Sequence, residues 1–286
     1  MTLNARILAA NTHDRSRYRR WGLRTAAGEF RRVGHLREDR LVEDRELLSA
    51  FQSLDAEELV LAPEALQPFL DGLAPELLAR ERIAELSGEM FPVWSAVGDS
   101  VLASVDRRLV AWLGIPASGV HVNVFRYIDG ELQVWIARRA LDKLLFPGQL
   151  DNAVAGGQPV GLGLAENVVK ECGEEAGIPV ELATQAEPVG VVQYVFENDS
   201  GLKPDTLYCF DLELPADFVP APVDGEVDSF RSVSLTELRD LLAGEPVFKF
   251  NSALVCIDFL LRRTGDELDL GDRESLQASL RRRLDD

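Results

Sequence analysis

Three cysteines and three histidines in 286 residues leave few soft or borderline metal ligands. Cys172, Cys209 and Cys256 are far apart and odd in number, which excludes a four-cysteine zinc site. The same pattern fits reduced thiols, so a cytosolic location is expected. His13, His35 and His121 are equally scattered and read as surface or satisfied core residues rather than ligands. No apolar run approaches the ~20 residues of a membrane span. The N-terminal Met-Thr-Leu-Asn-Ala-Arg also lacks a signal-peptide core. Neither membrane insertion nor secretion is therefore expected.

Positive charge is also scarce, with 30 Lys and Arg against 48 Asp and Glu and a net charge of −18. Nucleic-acid binding rests on Lys and Arg neutralising phosphates, so a long RNA or DNA partner is not expected. A small anion would be admitted only where a metal ion and local bases reverse the field. Arg15, Arg17, Arg19, Arg20, Arg24, Arg31 and Arg32 are one local source of such charge. The 46% hydrophobic content is that of an ordinary globular chain, long enough for one large domain or two of medium size. There is no internal repeat or low-complexity tract.

The most informative stretch is Gly156-Gly157-Gln158-Pro159-Val160-Gly161, followed by Lys170-Glu-Cys-Gly-Glu-Glu-Ala-Gly-Ile178. Residues three and four apart share a helix face, so Glu171 lies beside both Glu174 and Glu175. Like charges this close repel, and packing alone gives no reason to gather them. A hard divalent cation removes the objection, because Mg²⁺ takes oxygen ligands and shares its shell with substrate phosphates. Leu164, Val168, Cys172 and Ala176 recur every four residues as an apolar stripe, and Gly177 suits a left-handed cap. The carboxylates are thus expected on one side of a packed amphipathic helix behind a glycine loop. A solvated acidic face is the plainer alternative.

This stretch resembles the Nudix box, Gx5Ex7REUxEExGU with U aliphatic. Gly156 opens the match and Gly177 closes it, with Glu171, Glu174 and Glu175 at the metal-binding positions and Cys172 at the first U. Leu162 stands in place of the early Glu, and Lys170 in place of the Arg. The resemblance implies an α/β (α+β) fold, an α/β/α sandwich with a mixed sheet, here preceded by an N-terminal α+β accessory domain. It also implies a pyrophosphohydrolase using Mg²⁺, with Mn²⁺ as an alternative, in which Glu171, Glu174 and Glu175 are metal ligands and catalytic residues. Glu226 stands where some members place an additional metal-binding acid, and a turn residue in a polar loop is the equal alternative.

A second resemblance is narrower. Trp135-Ile-Ala-Arg-Arg, Lys143, Phe146-Pro-Gly, Leu150-Asp-Asn and Ala155-Gly-Gly look like a Nudix subgroup associated with thiamine pyrophosphokinase. Phe248-Lys-Phe-Asn, Ala253-Leu-Val and Asp258-Phe add to the likeness, which covers roughly residues 95–265. It implies thiamine diphosphate or its oxidised analogues as substrate, with the monophosphate and orthophosphate as products. Other diphosphates of the ADP-ribose, NADH or CoA type stay open, as does a non-catalytic binding module. A fused pyrophosphokinase does not fit the remaining length.

Arg138, Arg139 and Lys143 are candidate phosphate binders because guanidinium and ammonium groups suit that role, and Gly156 and Gly157 bring backbone close. Trp94, Trp112 and Trp135 read as core. Alternation predicts strands at 121–127 and 132–138 across Asp129-Gly130, then at 186–196, 206–214 and 226–233. Earlier strands are expected at 18–24 and 29–36, with strand character near Gly98-Asp99. Helices are expected at 76–86, 107–113, 235–242, 253–262 and 273–284. The boundaries drawn are 1–117 for the accessory domain, 118–265 for the Nudix domain and 266–286 for a helical tail. The accessory domain is expected to cover part of the cleft and bind the non-phosphate end of a small diphosphate, or else to serve assembly as a homodimer.

Overall fold

The computed structural model describes residues 2–281 apart from 54, 56 and 144. In chain order the first part comprises α1 (Leu3–Ala9), β1 (Tyr18–Arg24), β2 (Phe30–Arg37), α2 (Glu38–Glu43), β3 (Gln52–Ser53) and β4 (Glu58–Leu61). It continues with α3 (Leu66–Ala79), β5 (Met90–Val93), β6 (Ala103–Asp106) and α4 (Arg107–Leu113). Then come β7 (Ala117–Ile128), β8 (Glu131–Arg139), β9 (Leu150–Asn152), β10 (Val154–Gly157), α5 (Leu164–Ala176) and α6 (Val180–Ala183). The chain closes with β11 (Glu187–Asn198), β12 (Gly201–Glu213), β13 (Val227–Ser234), α7 (Leu235–Ala243), α8 (Phe250–Arg263) and α9 (Arg273–Ser279).

The main sheet runs β11-β12-β7-β8-β13, with β10 paired to β7 and β9 to β8. Only the β12/β7 ladder is parallel, so the sheet is mixed. Strand alternation decides its two faces. Val120, Val122 and Val124 pack with Val168, Cys172 and Ala176 of α5 on one side. Phe125, Val134 and Ile136 pack with α7 and α8 on the other, completing an α/β/α sandwich. The Asp129–Gly130 turn has both residues at positive φ, 51° and 84°, as a tight hairpin requires.

The N-terminal region adds a second sheet, β2-β1-β4-β3, and a separate β5–β6 hairpin. Its core gathers Trp21, Leu36, Leu61, Leu66, Leu70, Leu77 and Leu113. Two expectations shift here. The helix expected at 76–86 lies instead at 66–79, because Leu66, Leu70, Leu73 and Leu77 form the buried stripe. Gly98 and Asp99 belong to the loop between β5 and β6, where Gly98 has φ 92°. The last helix ends at Ser279, and residues 282–286 of the expected tail lie outside the described residues.

α1 was not foreseen, and it does not join the N-terminal sheet. Leu3, Ile7 and Ala10 enter the core beneath α8. The buried Arg6 guanidinium donates to the Leu242 carbonyl at 2.8 Å and to the Gly244 carbonyl at 2.9 Å. The first residues therefore cap the end of α7. Substituting Arg6→Ala should cost about 1–3 kcal/mol, because the carbonyls lose a buried charged donor. Urea unfolding measures this, with the transition expected to stay cooperative.

Candidate active site

The acidic cluster is held by its helix. Glu166 accepts the Gly163 N–H at 2.9 Å at the start of α5, and Gly177 at φ 62° ends it in the left-handed conformation. Asn167 donates to the Gly157 carbonyl at 2.8 Å and ties the first turn to the glycine strand. With the apolar stripe buried, Glu171 and Glu175 turn toward β10, while Glu174 remains exposed. A Cβ on Gly156 would fall within the Glu171 carboxylate, so glycine is what lets that acid approach. Glu175 accepts the Ala155 N–H at 2.8 Å and locks helix to strand.

Burial pushes the Glu171 carboxyl up, and Lys170 only partly offsets it. Burial raises Glu175 well above the ordinary glutamate value, with the nearby Asp151 and Glu171 charges adding to the shift. Lys170 lies 3.1 Å from Glu171 Oε1 and 2.7 Å from Glu174 Oε2. Burial works against its ammonium, but these hydrogen bonds outweigh it and raise its pKa. The lysine in the expected arginine position thus neutralises part of the cluster.

These carboxylates line one wall of a cleft of about 390 Å³. Its other walls come from three parts of the chain. Phe91, Arg107 and Arg108 belong to the N-terminal region, Tyr194 and Leu207 to the main sheet, and Lys249, Phe250 and Asn251 to the start of α8. Phe250 stacks on Phe196 at 4.3 Å and meets Tyr194 edge-on at 5.2 Å, giving that end an aromatic lining.

Beneath the cleft Asp151 collects the cations. It is 4% exposed, yet Arg139 and Lys249 each stand 3.2 Å from Oδ2, and Ser252 donates to Oδ1. Burial works to raise its pKa, but Lys249, His121, Ser252 and Arg139 together hold it below the usual range. Burial and then Lys249 lower His121 to about 4, so it is neutral near pH 7 and charged only in the acid range where Asp151 titrates, and its Nδ1 pairs with Asn152 Oδ1 at 2.8 Å. It is a satisfied core residue, as its isolation in the sequence implied.

Of the expected phosphate binders, Arg139, Lys143 and the glycines are drawn to this region, and Arg138 is not. Arg139, Gly156 and Gly157 line the cleft. Lys143 reaches Glu226 on its wall at 2.8 Å. Adjacent strand residues face opposite sides, so Arg138 points to a different groove beside Gly148, Ser229 and Arg231. The arginines between Arg15 and Arg32 line no part of the cleft among the described residues. Arg17 pairs with Glu197, Arg20 with Glu57 and Glu58, and Arg31 with Ser95 and Asp99. The N-terminal region reaches the cleft through Phe91, Arg107 and Arg108 instead, none of which the sequence singled out. Lys249, Phe250 and Asn251 appeared only within a resemblance motif, and Asp151 likewise.

The expected metal set is only partly assembled. Among the described residues, no three His, Cys, Asp or Glu side chains stand ready to hold an ion. Glu226 is engaged by Lys143, which lowers its pKa even though burial opposes this. The donor chemistry still fits a hard cation. Two desolvated carboxylates, one facing a side-chain-free glycine, are short of positive charge that a divalent ion would supply.

The sandwich and the glycine-bordered acidic helix define a domain of known type. Residues 117–251 match the model of the NUDIX domain. Two Arabidopsis thaliana proteins, Nudix hydrolase 20, chloroplastic, and Nudix hydrolase 24, chloroplastic, are each 42% identical over 180 residues. The match covers 63% of this chain, and 48% and 49% of theirs, so the chain spans about half the length of these curated relatives. The solved NUDIX domain of Shewanella oneidensis NrtR, complexed with ADP ribose, aligns with 51% of this chain and 88% of its own, at 16% identity and TM-score 0.41. Both plant relatives are named chloroplastic, and the expectation of a cytosolic location does not stand against that finding. No helix among the described residues is long and apolar enough to cross a membrane.

Asp151→Asn should cost about 3 kcal/mol near neutral pH, the low end for breaking a buried ion pair. The low end applies because Arg139 and Lys249 keep 15% and 18% side-chain exposure. The folded pKa of Asp151 is below its unfolded value, so the unfolded chain binds more protons as acid is added. Its contribution is therefore full above about pH 4 and is lost as pH falls through the depressed folded value. Urea midpoints of wild type and variant should converge across that window.

Proposed function

We propose that the protein is an Mg²⁺-dependent pyrophosphohydrolase of the Nudix type, cleaving a small organic diphosphate. The substrate favoured is thiamine diphosphate or an oxidised analogue, giving the monophosphate and phosphate. The observation that carries this reading is one cleft with buried carboxylates on one wall and an aromatic end at Tyr194 and Phe250. Its size suits a small organic group joined to two phosphates. The subgroup-like sequence blocks lie on its walls, at Arg139, Ala155-Gly-Gly and Lys249-Phe-Asn.

Glu171, Glu174 and Glu175, with Glu226 as an additional donor, would hold the cation. The ion would supply neutralisation of phosphate charge and Lewis acidity. The chain's own groups account for the rest. Arg139 and Lys249, fixed on Asp151, put positive charge under the diphosphate. Phe250, Leu207 and Tyr194 exclude water around the organic group. One carboxylate of the glutamate set that the cation does not fully occupy suits accepting a proton from the attacking water at an Oε atom. The N-terminal wall at Phe91 supports a part for that region in covering the cleft, and the homodimer reading remains a separate proposal.

Turnover should need a divalent cation and peak at alkaline pH. A phosphate-release screen over thiamine diphosphate, its oxidised analogues, ADP-ribose, NADH and CoA, with Mg²⁺ or Mn²⁺, tests the reading. Equal turnover in excess chelator overturns the mechanism, and preference for another diphosphate overturns the substrate. Gly156→Ala should lower kcat on the order of 100-fold, since the Glu171 carboxylate must move about 1 Å or more to clear the new methyl. Because that carboxylate ends a flexible side chain, Tm should change little. A variant with normal kcat would show that the Glu171 position does not matter.

A further inference from the structure

We propose that Arg107, contributed by the N-terminal region, binds the terminal phosphate of the substrate beside the Gly156–Gly157 strand. The inference rests on the pyrophosphohydrolase reading and goes beyond it. It assigns the phosphate end of the substrate, rather than only its organic end, to the accessory region.

Exposure singles out this arginine among the cations of the cleft, for Arg108 and Lys203 on its wall pair with Glu85 and Asp205 and are 30% and 32% exposed. The Arg107 side chain is 53% exposed, against 15% for Arg139 and 18% for Lys249, which are committed to Asp151. Lys143 and Lys170 are held by Glu226 and by Glu171 with Glu174. Among the described residues Arg107 bonds Glu89 at 2.8 Å through Nη1, and its other guanidinium donors can meet a ligand. A planar fork of this kind takes phosphate oxygens in pairs, which an ammonium cannot do.

Its position is fixed relative to the glycine strand by several contacts. The guanidinium carbon lies over the Phe91 ring, 5.5 Å from its centre, a cation–π contact. A Cβ on Gly157 would sit 2.5 Å from the tip of Phe91 and 3.4 Å from the Arg107 guanidinium carbon. Both side chains thus press against the backbone that borders Glu171. The Val160 N–H donates to the Met90 carbonyl at 2.9 Å, and the Arg107 N–H to the Glu89 carbonyl at 2.9 Å. The loop after β10 and the start of α4 are therefore hydrogen-bonded to neighbouring residues of one hairpin. In this arrangement Glu89 holds the guanidinium until phosphate oxygens replace it.

Calorimetric titration of the full-length protein with inorganic pyrophosphate in Mg²⁺ tests the assignment. Arg107→Gln should weaken binding about tenfold or more, the worth of a charged hydrogen bond, with Tm unchanged. Arg107→Lys should recover only part of the loss. Glu89→Gln, which leaves Arg107 in place and frees it, should tighten binding, an effect of opposite sign that a folding defect would not give. If wild type binds pyrophosphate and Arg107→Gln binds it equally well, the assignment is wrong while the hydrolase reading stands. Weaker binding by Glu89→Gln also overturns it. A wild-type protein that binds no pyrophosphate overturns both.

Discussion

Asp151 is the constraint on which the cleft depends. A carboxylate 4% exposed would be costly alone, and here it is matched by Arg139, Lys249 and the Ser252 hydroxyl. Those partners come from β8, from the residue before α8 and from α8 itself, so one charge fixes the helix against the sheet. Asn152 extends the buried polar row, donating to Asn123 Oδ1 at 3.2 Å, while Asn123 donates to Asp211. Asp211 is paired in turn with Arg262 and Arg263. The helix is thereby registered by polar contacts near both ends, with apolar packing between them.

The cleft above is built from groups that repel one another. Glu171 and Glu175 are both desolvated; the Glu174 and Glu89 charges add to the cost of ionising Glu171, and Asp151 and Glu171 to that of Glu175. The fold tolerates this because Ala155 donates to one and Lys170 to the other. Such frustration is common where function rather than packing sets the residue. The proposed cation would relieve it.

The accessory region is joined to the Nudix domain closely enough to be part of the site. The Trp21 indole donates to the Leu113 carbonyl at 2.7 Å, and Arg40 to the Trp112 carbonyl at 2.7 Å, so α4 is held from its own side. Its other end delivers Arg107 to the glycine strand. α1 meanwhile crosses to the far face and packs beneath α8. The first hundred residues thus clasp the sandwich at two places instead of forming an appendage on a linker.

By itself the sequence determined the features carried by short-range periodicity. The four-residue apolar stripe and Gly177 made α5 and its acidic face legible, and alternation across Asp129-Gly130 made the β7–β8 hairpin legible. Local spacing suffices for these because neighbours along a helix or strand are neighbours in space. The position of α3 was misread, since several overlapping windows of leucines offer a stripe and only the core around Trp21 chooses one. Arg138 and Arg139 looked equivalent in the chain, yet the pleat of β8 sends one to each face. The N-terminal arginines looked like a charge reservoir, yet Arg17, Arg20 and Arg31 are engaged by carboxylates, that of Arg17 lying 180 residues on, and none of the seven lines the cleft among the described residues. Tertiary structure alone decided that Arg107, fifty residues before Gly157, stands beside it, because no periodicity links residues joined only by packing.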